Sequence, residues 1–298
     1  MHVFVTGASG WIGSATVEHL RASGHQVTGL VRTDRAAETL GAVGAGALRG
    51  DLDDLDSLRS GATNADAVIH LANKHDWANP AESNRAERAA VETMCDVLAG
   101  SDRPFLVAAG VAGLAMGRPS TENDVSPAIG PDSPRGGTEN LAFDYAEKGV
   151  KAIALRFSPT VHGDGDHGFI SYLVGVARAK GVSAYVGDGS TRWAAVHRTD
   201  AAAMIRLGLE HAPSGARLHA VAEEGVPSRE IAEAIGRGLD LPVTSVAADR
   251  AVDHFGFIGQ FFAMDLSSSS VITRNLLDWT PTGPTLLDDL ASGSYFRV

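Results

Sequence analysis

The first thirty residues alternate between short apolar runs and a glycine-rich turn. His2–Thr6 is rich in β-forming residues, which predicts a strand buried on both faces. A segment with apolar residues at helical spacing, including Val17 and Leu20, follows, and a second apolar run covers Gln26–Val31. The pattern predicts a strand, a glycine turn, a helix and a second strand, which is one βαβ unit.

The three glycines between the first strand and the helix have separate predicted roles. Gly7 lets the chain turn sharply off the strand, Gly10 lets the backbone approach a phosphate, and Gly13 lets the helix pack close to the sheet. Free N–H groups and the positive end of the helix dipole would then face a pyrophosphate. The Gly-x-x-Gly-x-x-Gly spacing in this context predicts a bound dinucleotide.

Apolar runs continue the same alternation along the chain. They predict further strands at residues 47–49, 67–71, 105–109, 151–157 and 218–221, and helices at 81–98, 200–209 and 267–277 and from Pro227 or Ser228. We therefore expect an α/β fold with a doubly wound parallel sheet of about seven strands and a small, mostly helical C-terminal substrate lobe. The expected dinucleotide-binding domain covers residues 1–157 and 200–222, and the expected lobe covers 158–199 and 223–298.

Composition narrows the class of protein. The chain has 298 residues, 44% of them hydrophobic, and a formal net charge of −11. This charge argues against nucleic acid or an anionic membrane as a partner. The single cysteine, Cys95, excludes an internal disulfide and a cysteine metal site. Structure predicted from residue 2 and the lack of a membrane-length apolar run lead us to expect a cytoplasmic protein.

The string Thr-Gly-Ala-Ser-Gly-Trp-Ile-Gly at residues 6–13 resembles the extended branch of the short-chain dehydrogenase/reductase superfamily. Further matches follow in the same order, at residues 50–52, 66–72, 155–157, 161–163, 196–201 and 277–281. The resemblance covers nearly the whole chain and implies a Rossmann fold with a bound nicotinamide cofactor.

The residues after the second strand predict which cofactor binds. An acidic residue there would hold the 2′-hydroxyl of NAD, whereas arginine suits a 2′-phosphate. Arg32 follows the strand directly and Arg35 lies one helical turn further on. A guanidinium can bind a phosphate through two parallel hydrogen bonds, so we expect NADP(H).

The resemblance implies further contacts along the cofactor. Asp51 and Leu52 would lie beside the adenine, and the stretch Leu71, Ala72 and Asn73 beneath the ribose and diphosphate. The full set of expected cofactor-binding residues is Gly7, Ser9, Gly10, Trp11, Ile12, Gly13, Arg32, Arg35, Asp51, Leu52, Leu71, Ala72, Asn73, Ala109, Arg135, Phe157 and Pro159.

The chain departs from the superfamily at its catalytic triad of serine, tyrosine and lysine. Residues 107–110 are Val-Ala-Ala-Gly, without the serine. Glu139 resembles the glutamate that often lies four residues after the superfamily's lysine. The resemblance therefore implies that the lysine position is Arg135 and the tyrosine position is Pro131. Tyr145 and Lys148 share a helix face, but they lie at least two turns beyond that position and directly before Gly149. We therefore expect no catalytic role for this pair and place it at an exposed helix end.

The remaining candidates lie on loops at the carboxyl ends of strands. Arg135, Lys74 and His162 are the candidate catalytic residues, and no metal is expected, because the glycines around residues 162–168 make a poor ligand frame. The candidate substrate-binding residues are His75, Trp77, His162, His167, Phe169, Trp193 and Phe255.

These features favour an NADPH-dependent reductase of a small or medium, largely apolar carbonyl, enone or imine. An alternative is a catalytically silent NADP(H)-binding regulator, since the triad is missing. A third possibility is a sugar-nucleotide epimerase or dehydratase, which is weakest because such enzymes need the tyrosine. A small-molecule substrate is expected in the first case, and the sequence leaves a homodimer open.

Overall fold

The computed structural model describes residues 1–76 and 78–297. In these ranges the strands are β1 His2–Thr6, β2 Gln26–Val31, β3 Gly46–Arg49, β4 Ala67–His70, β5 Pro104–Gly110, β6 Lys151–Phe157, β7 Thr160–His162, β8 Ser183–Val186, β9 Arg192–His197, β10 Arg217–Ala220, β11 Glu223–Pro227 and β12 Val243–Val246. The α-helices are α1 Trp11–Ala22, α2 Asp34–Ala42, α3 Leu55–Thr63, α4 Pro80–Leu98, α5 Thr138–Asp144, α6 Phe169–Lys180, α7 Arg198–His211, α8 Ser228–Leu239, α9 Ala251–Phe255, α10 Gly259–Phe262, α11 Val271–Leu277 and α12 Leu286–Ala291. Short 3₁₀ turns cover Pro134–Gly137, Tyr145–Lys148, Ala248–Arg250, Gly256–Ile258 and Ser294–Phe296.

Seven parallel strands form the main sheet in the order β10-β6-β5-β4-β1-β2-β3. This arrangement confirms the predicted doubly wound α/β fold. The strand order reverses at β1, and open sheets of this kind bind ligands at the carboxyl ends of the strands beside such a reversal. Thr6 and His70, the last residues of β1 and β4, are register partners at this point.

Helices cover both faces of the sheet, which explains the nearly continuous apolar strands. Val3 and Val5 of β1 pack into one core with α1 and α7, whereas Phe4 points into the opposite core with α3, α4 and α5. Successive side chains of a strand alternate between faces, so one short strand contributes to both layers.

The C-terminal lobe contains small sheets as well as helices. Strands β11, β9 and β7 form one sheet, and β12 pairs in parallel with β8. The lobe's core includes Trp193, Phe255 and Phe262, all of which are buried. Strand β10 belongs to the main sheet, although its residues lie between the two segments of the expected lobe. The domain bounds themselves stay a prediction.

The predicted helix at residues 267–277 begins four residues late, at Val271. Its first residues are extended because they pair with a distant loop: Ser120 donates its N–H to Ser267, and Ser269 donates its own to Ser120 at 2.8 Å. No helix in the described ranges combines the length and apolar character needed to cross a bilayer.

Candidate active site

The glycine turn after β1 has the geometry expected for phosphate binding at one of its three glycines. Gly7 has a φ of +70°, and a Cβ there would lie 2.8 Å from the backbone nitrogen of Ala72. A Cβ at Gly13 would lie 2.0 Å from the Gly7 carbonyl oxygen, so Gly13 is needed for packing. A Cβ at Gly10 would meet that same oxygen at 3.1 Å and otherwise point into open space. Gly10 therefore leaves its outer side accessible to a ligand.

The helix that follows presents unbonded backbone donors to the same space. Gly10 precedes α1 without capping it through a side chain, and Ser14 donates the first intrahelical bond, to Gly10, at 3.0 Å. The N–H groups of Trp11, Ile12 and Gly13 are therefore available to an anion, together with the positive end of the helix dipole. Ser9 is exposed in the turn. These residues fit a pyrophosphate.

The side chain of Trp11 points across to the lobe. Its indole N–H donates to the Val161 carbonyl at 2.7 Å, the Arg198 guanidinium lies 4.4 Å from the ring, and the His167 ring packs edge-on at 5.8 Å. Trp11 thus holds the loop after β7 beside the glycine turn, and any contact with a pyrophosphate would come from its backbone.

Both arginines predicted to select the cofactor are exposed after β2. Neither Arg32 nor Arg35 forms an ion pair within residues 1–76 and 78–297. The nearby acidic residue, Asp34, instead faces Arg49 at 3.4 Å. Two unpaired guanidinium groups at this edge fit a 2′-phosphate.

The residues expected near the adenine form a tight turn after β3. Asp51 accepts hydrogen bonds from the N–H groups of Asp53 and Asp54 at 2.8 and 3.1 Å, and Leu52 is buried. Among the other expected cofactor contacts, the structure places Leu71 and Ala72 partly buried after β4, Ala109 near the end of β5, Phe157 at the end of β6 and Pro159 after it.

A buried polar group lies beneath the end of β4. The Thr6 hydroxyl and His70 Nδ1 are 2.7 Å apart, and Ala72 donates its N–H to that hydroxyl at 3.3 Å. The Asn73 amide donates to the carboxylate of Glu87, a fully buried residue of α4. Burial, assisted by the charge of Arg135, lowers the pKa of His70 to about 3, so this imidazole is neutral.

Arg135 reaches the same buried carboxylate from the 3₁₀ turn before α5. Its guanidinium forms an ion pair with Glu87 and its backbone N–H donates to Asn84 at 2.9 Å. Its Nε is buried and has no hydrogen-bond partner in the described part of the chain. A buried donor without an acceptor is costly. The Nε atoms of Arg21, Arg198 and Arg217 share this property, so the position of Arg135 at the carboxyl end of β4, together with its free Nε, makes it a candidate to bind a ligand oxygen.

Two other predicted catalytic residues have different surroundings. Lys74 contacts Asp53 at 2.8 Å and Glu82 at 3.2 Å, and the hydrogen bond to Asp53 raises its pKa, so it holds its proton tightly. His162 is fully buried, with Nδ1 2.5 Å from Asp289. These contacts disfavour Lys74 as a proton donor. They make His162 a buried partner of Asp289 whose Nε2 has no hydrogen-bond partner in the described ranges, and its place at a substrate pocket stays a prediction.

The predicted substrate residues divide between loops and core. His75 and His167 are exposed, and Phe169 is partly buried against Trp193. Desolvation, followed by the charges of Arg135 and His167, lowers the pKa of His75. Trp193 and Phe255 were expected at a pocket wall, but both are core residues, with exposed fractions of 0% and 3%. Trp77 lies outside the described residues.

Glu87, Thr6 and His70 were missed by the sequence analysis. One signal for Glu87 was present, because it shares the helical spacing of Ala90 and Met94 on the buried face of α4. A carboxylate on an apolar face requires a partner, and Arg135 is that partner.

Comparison with known proteins agrees with this geometry. The model of the NAD dependent epimerase/dehydratase family matches residues 3–221. The chain belongs to this family. Members are NAD(P)-dependent, and the predicted relation to the extended short-chain dehydrogenases is confirmed, as is the prediction of an NAD(P)-dependent oxidoreductase.

The chain is similar to an uncharacterized protein, to a reductase and to the solved structure of an epimerase. An uncharacterized protein of Schizosaccharomyces pombe is 45% identical over 297 residues, covering 99% of this chain and 100% of the relative. A 2′-dehydrokanamycin reductase of Streptomyces kanamyceticus is 27% identical, covering 93% of this chain and 78% of that protein. The structure of UDP-glucose 4-epimerase from Thermotoga maritima has a TM-score of 0.78 at 17% identity, covering 100% and 99%, which shows a shared fold.

Proposed function

We propose that this chain is an NADPH-dependent reductase of a small or medium, largely apolar carbonyl, enone or imine. The observation that carries the proposal is the buried, unpartnered Nε of Arg135, which is held beside Asn73 at the carboxyl end of β4. A regulator that binds the whole cofactor would use the same donor for the ribose, so consumption of NADPH, and not this donor alone, separates the two functions.

The residues present fit the dinucleotide. The open side of Gly10 and the free N–H groups at the start of α1 would hold the pyrophosphate, Arg32 and Arg35 the 2′-phosphate, and Asn73 and Arg135 the ribose end. When bound, the reduced nicotinamide supplies a hydride. The chain's own part is to place an acceptor against it.

Arg135 would stabilise negative charge that develops on the substrate oxygen or nitrogen, or hold the ribose. A guanidinium cannot donate its proton at neutral pH, so its contribution is electrostatic. His75 is a titratable side chain on the loop after β4, two residues from Asn73, and we propose it as the proton source in place of Lys74 and His162. Because desolvation lowers its pKa, turnover should rise as the pH falls toward that pKa.

Names of relatives support a reductase rather than a regulator or an epimerase. A relative 28% identical over 223 residues is a ketoreductase of Stigmatella aurantiaca, covering 72% of this chain and 66% of its own length. Pro131 at the position expected for the superfamily's tyrosine argues against an epimerase.

The test is consumption of NADPH with a panel of apolar ketones, enones and cyclic imines, followed by cofactor absorbance, with NADH in parallel. We expect turnover of at least one class, together with a large loss for Arg135→Ala and normal turnover for Arg59→Ala, a surface arginine of α3. Tight NADPH binding without consumption across the whole panel would identify a regulator and contradict the reductase.

A further inference from the structure

The carboxylate of Glu87 joins two crevice residues that come from separate parts of the chain. One oxygen accepts from the guanidinium of Arg135, and the other accepts from the amide of Asn73. The Nε2 atom of His70 lies 3.9 Å from the first oxygen. Glu87 itself has an exposed fraction of 0%, so its environment is supplied by these side chains.

We propose that Glu87 is a positioning residue for the reduction: through its buried carboxylate it fixes the Arg135 guanidinium and the Asn73 amide relative to each other at the ribose and substrate end of the crevice. This inference rests on the proposed function. Glu87 does not touch the reacting atoms and acts through Arg135.

The backbone around Arg135 has an unfavourable conformation, and contacts with α4 hold it in place. Arg135, Gly136 and Gly137 have φ values of 54°, 63° and 64°, a run of left-handed residues in which a non-glycine side chain is disfavoured. Asn84 accepts the N–H of Arg135, and Arg88 donates to the Gly136 carbonyl, both at 2.9 Å. Helix α4 therefore holds the turn through Asn84 and Arg88 and orients the guanidinium through Glu87.

Glu87 and Arg135 depend on each other because their charges are opposite. A buried carboxylate is unfavourable without a cation, and burial raises the pKa of Glu87 while Arg135 opposes that shift. Together the two side chains are neutral, which leaves the unpartnered Nε of Arg135 as a directed donor rather than a loose charge. Such a donor suits a neutral oxygen or nitrogen whose negative charge grows during hydride transfer.

A double-mutant cycle tests the proposal with Glu87→Gln, Arg135→Gln and the combined variant. Glutamine keeps an acceptor for Asn73 but removes the charge that orients Arg135. We expect Glu87→Gln to lower kcat by roughly tenfold or more with a smaller change in KM. The combined variant should be no slower than Arg135→Gln, because residues that act as one unit are not additive. Losses that multiply across the cycle would overturn the proposal.

Controls separate positioning from stability and from failure of the proposed function. Glu147→Gln removes an exposed acid of the 3₁₀ turn after α5, and it should leave kcat unchanged. If Glu87→Gln does not fold, Glu87→Asp, which keeps the charge but withdraws the oxygens, replaces it in the cycle. If the unmutated protein reduces nothing, the proposed function fails, and NADPH affinities of the same variants still decide the inference. Coupling between Glu87 and Arg135 in those affinities supports it, and additivity refutes it.

Discussion

The Tyr145 hydroxyl donates a 2.6 Å hydrogen bond to Asp96 near the C-terminal end of α4. The backbone carbonyl of Tyr145 accepts a hydrogen bond from the N–H of Val150, which directly precedes β6. Both neighbours lie at the amino edge of the parallel sheet, whereas the crevice lies at the carboxyl edge. The tyrosine is also buried, which contradicts the predicted exposed helix end, and burial raises its pKa.

Replacing Tyr145 should therefore affect stability and not chemistry. We expect Tyr145→Phe to lower the free energy of unfolding by about 1–2 kcal/mol, since it removes a hydrogen bond to a carboxylate, and to leave NADPH affinity and turnover unchanged. Urea unfolding and steady-state kinetics measure the two effects. Tyr172→Phe, at a half-exposed ring on α6, is the matched control. A hundredfold loss of turnover in Tyr145→Phe would show that the triad frame is misplaced.

Gly10 and Gly13 should respond in opposite ways to a side chain. Gly10→Val should fold, because its surroundings are open and its φ of −77° suits any residue, yet it should lose cofactor binding. Gly13→Ala should instead destabilise the fold by about 1–3 kcal/mol, since its Cβ would lie 2.0 Å from a carbonyl oxygen. Calorimetry with NADPH and thermal unfolding distinguish the two. Normal NADPH affinity in folded Gly10→Val would contradict the phosphate role.

The sequence predicts strands better than it predicts side-chain surroundings. The bounds of β1, β2 and β6 agree with the prediction because each is a both-face-buried apolar run flanked by turn residues. The predicted start of α11 was wrong because the hydroxyl of Ser268 accepts a hydrogen bond from that of Ser120, which is 148 positions away. No local pattern records that pairing.

The site shows the same division. The glycine turn has a fixed local spacing, so its geometry was predictable. Trp193 and Phe255 could equally be wall or core by residue type, and only the packing of the lobe places them in its core. Arg135 was found from the superfamily frame, but its partner Glu87, 48 positions earlier, required the folded chain.

Cofactor choice should depend on the exposed arginines after β2. We expect the unmutated protein to bind NADPH more tightly than NADH. Arg32→Ala and Arg35→Ala should each weaken NADPH by about 1.5–3 kcal/mol, because a charge-assisted contact to the 2′-phosphate is lost. NADH affinity should hardly change. Calorimetry checks this, with Arg59→Ala on α3 as the control for loss of one surface charge. Equal affinity of the unmutated protein for both cofactors would refute the preference.

His70 should make the fold sensitive to mild acid. Its pKa is lowered to about 3 in the folded protein, against an ordinary value of 6.5. Between these values the unfolded chain binds one proton more, so this contribution to stability is complete above 6.5 and is lost progressively as the pH falls toward 3. Other histidines with lowered pKa contribute in the same direction, namely His19, His75, His197, His219 and His254. The contribution of His70 must therefore be measured as a difference between proteins.

The measurement is the free energy of urea unfolding at about pH 7 and about pH 5 for the unmutated chain and for His70→Asn. Asparagine can keep a hydrogen bond to the Thr6 hydroxyl but does not titrate. We expect the unmutated chain to lose about 1–2 kcal/mol more than the variant over this interval. His211→Asn, at an exposed position on α7, should behave like the unmutated chain. An identical loss in His70→Asn would mean that this imidazole accepts a proton in the folded state, and that the buried carboxylate of Glu87, 3.9 Å from its Nε2, stabilises the charge.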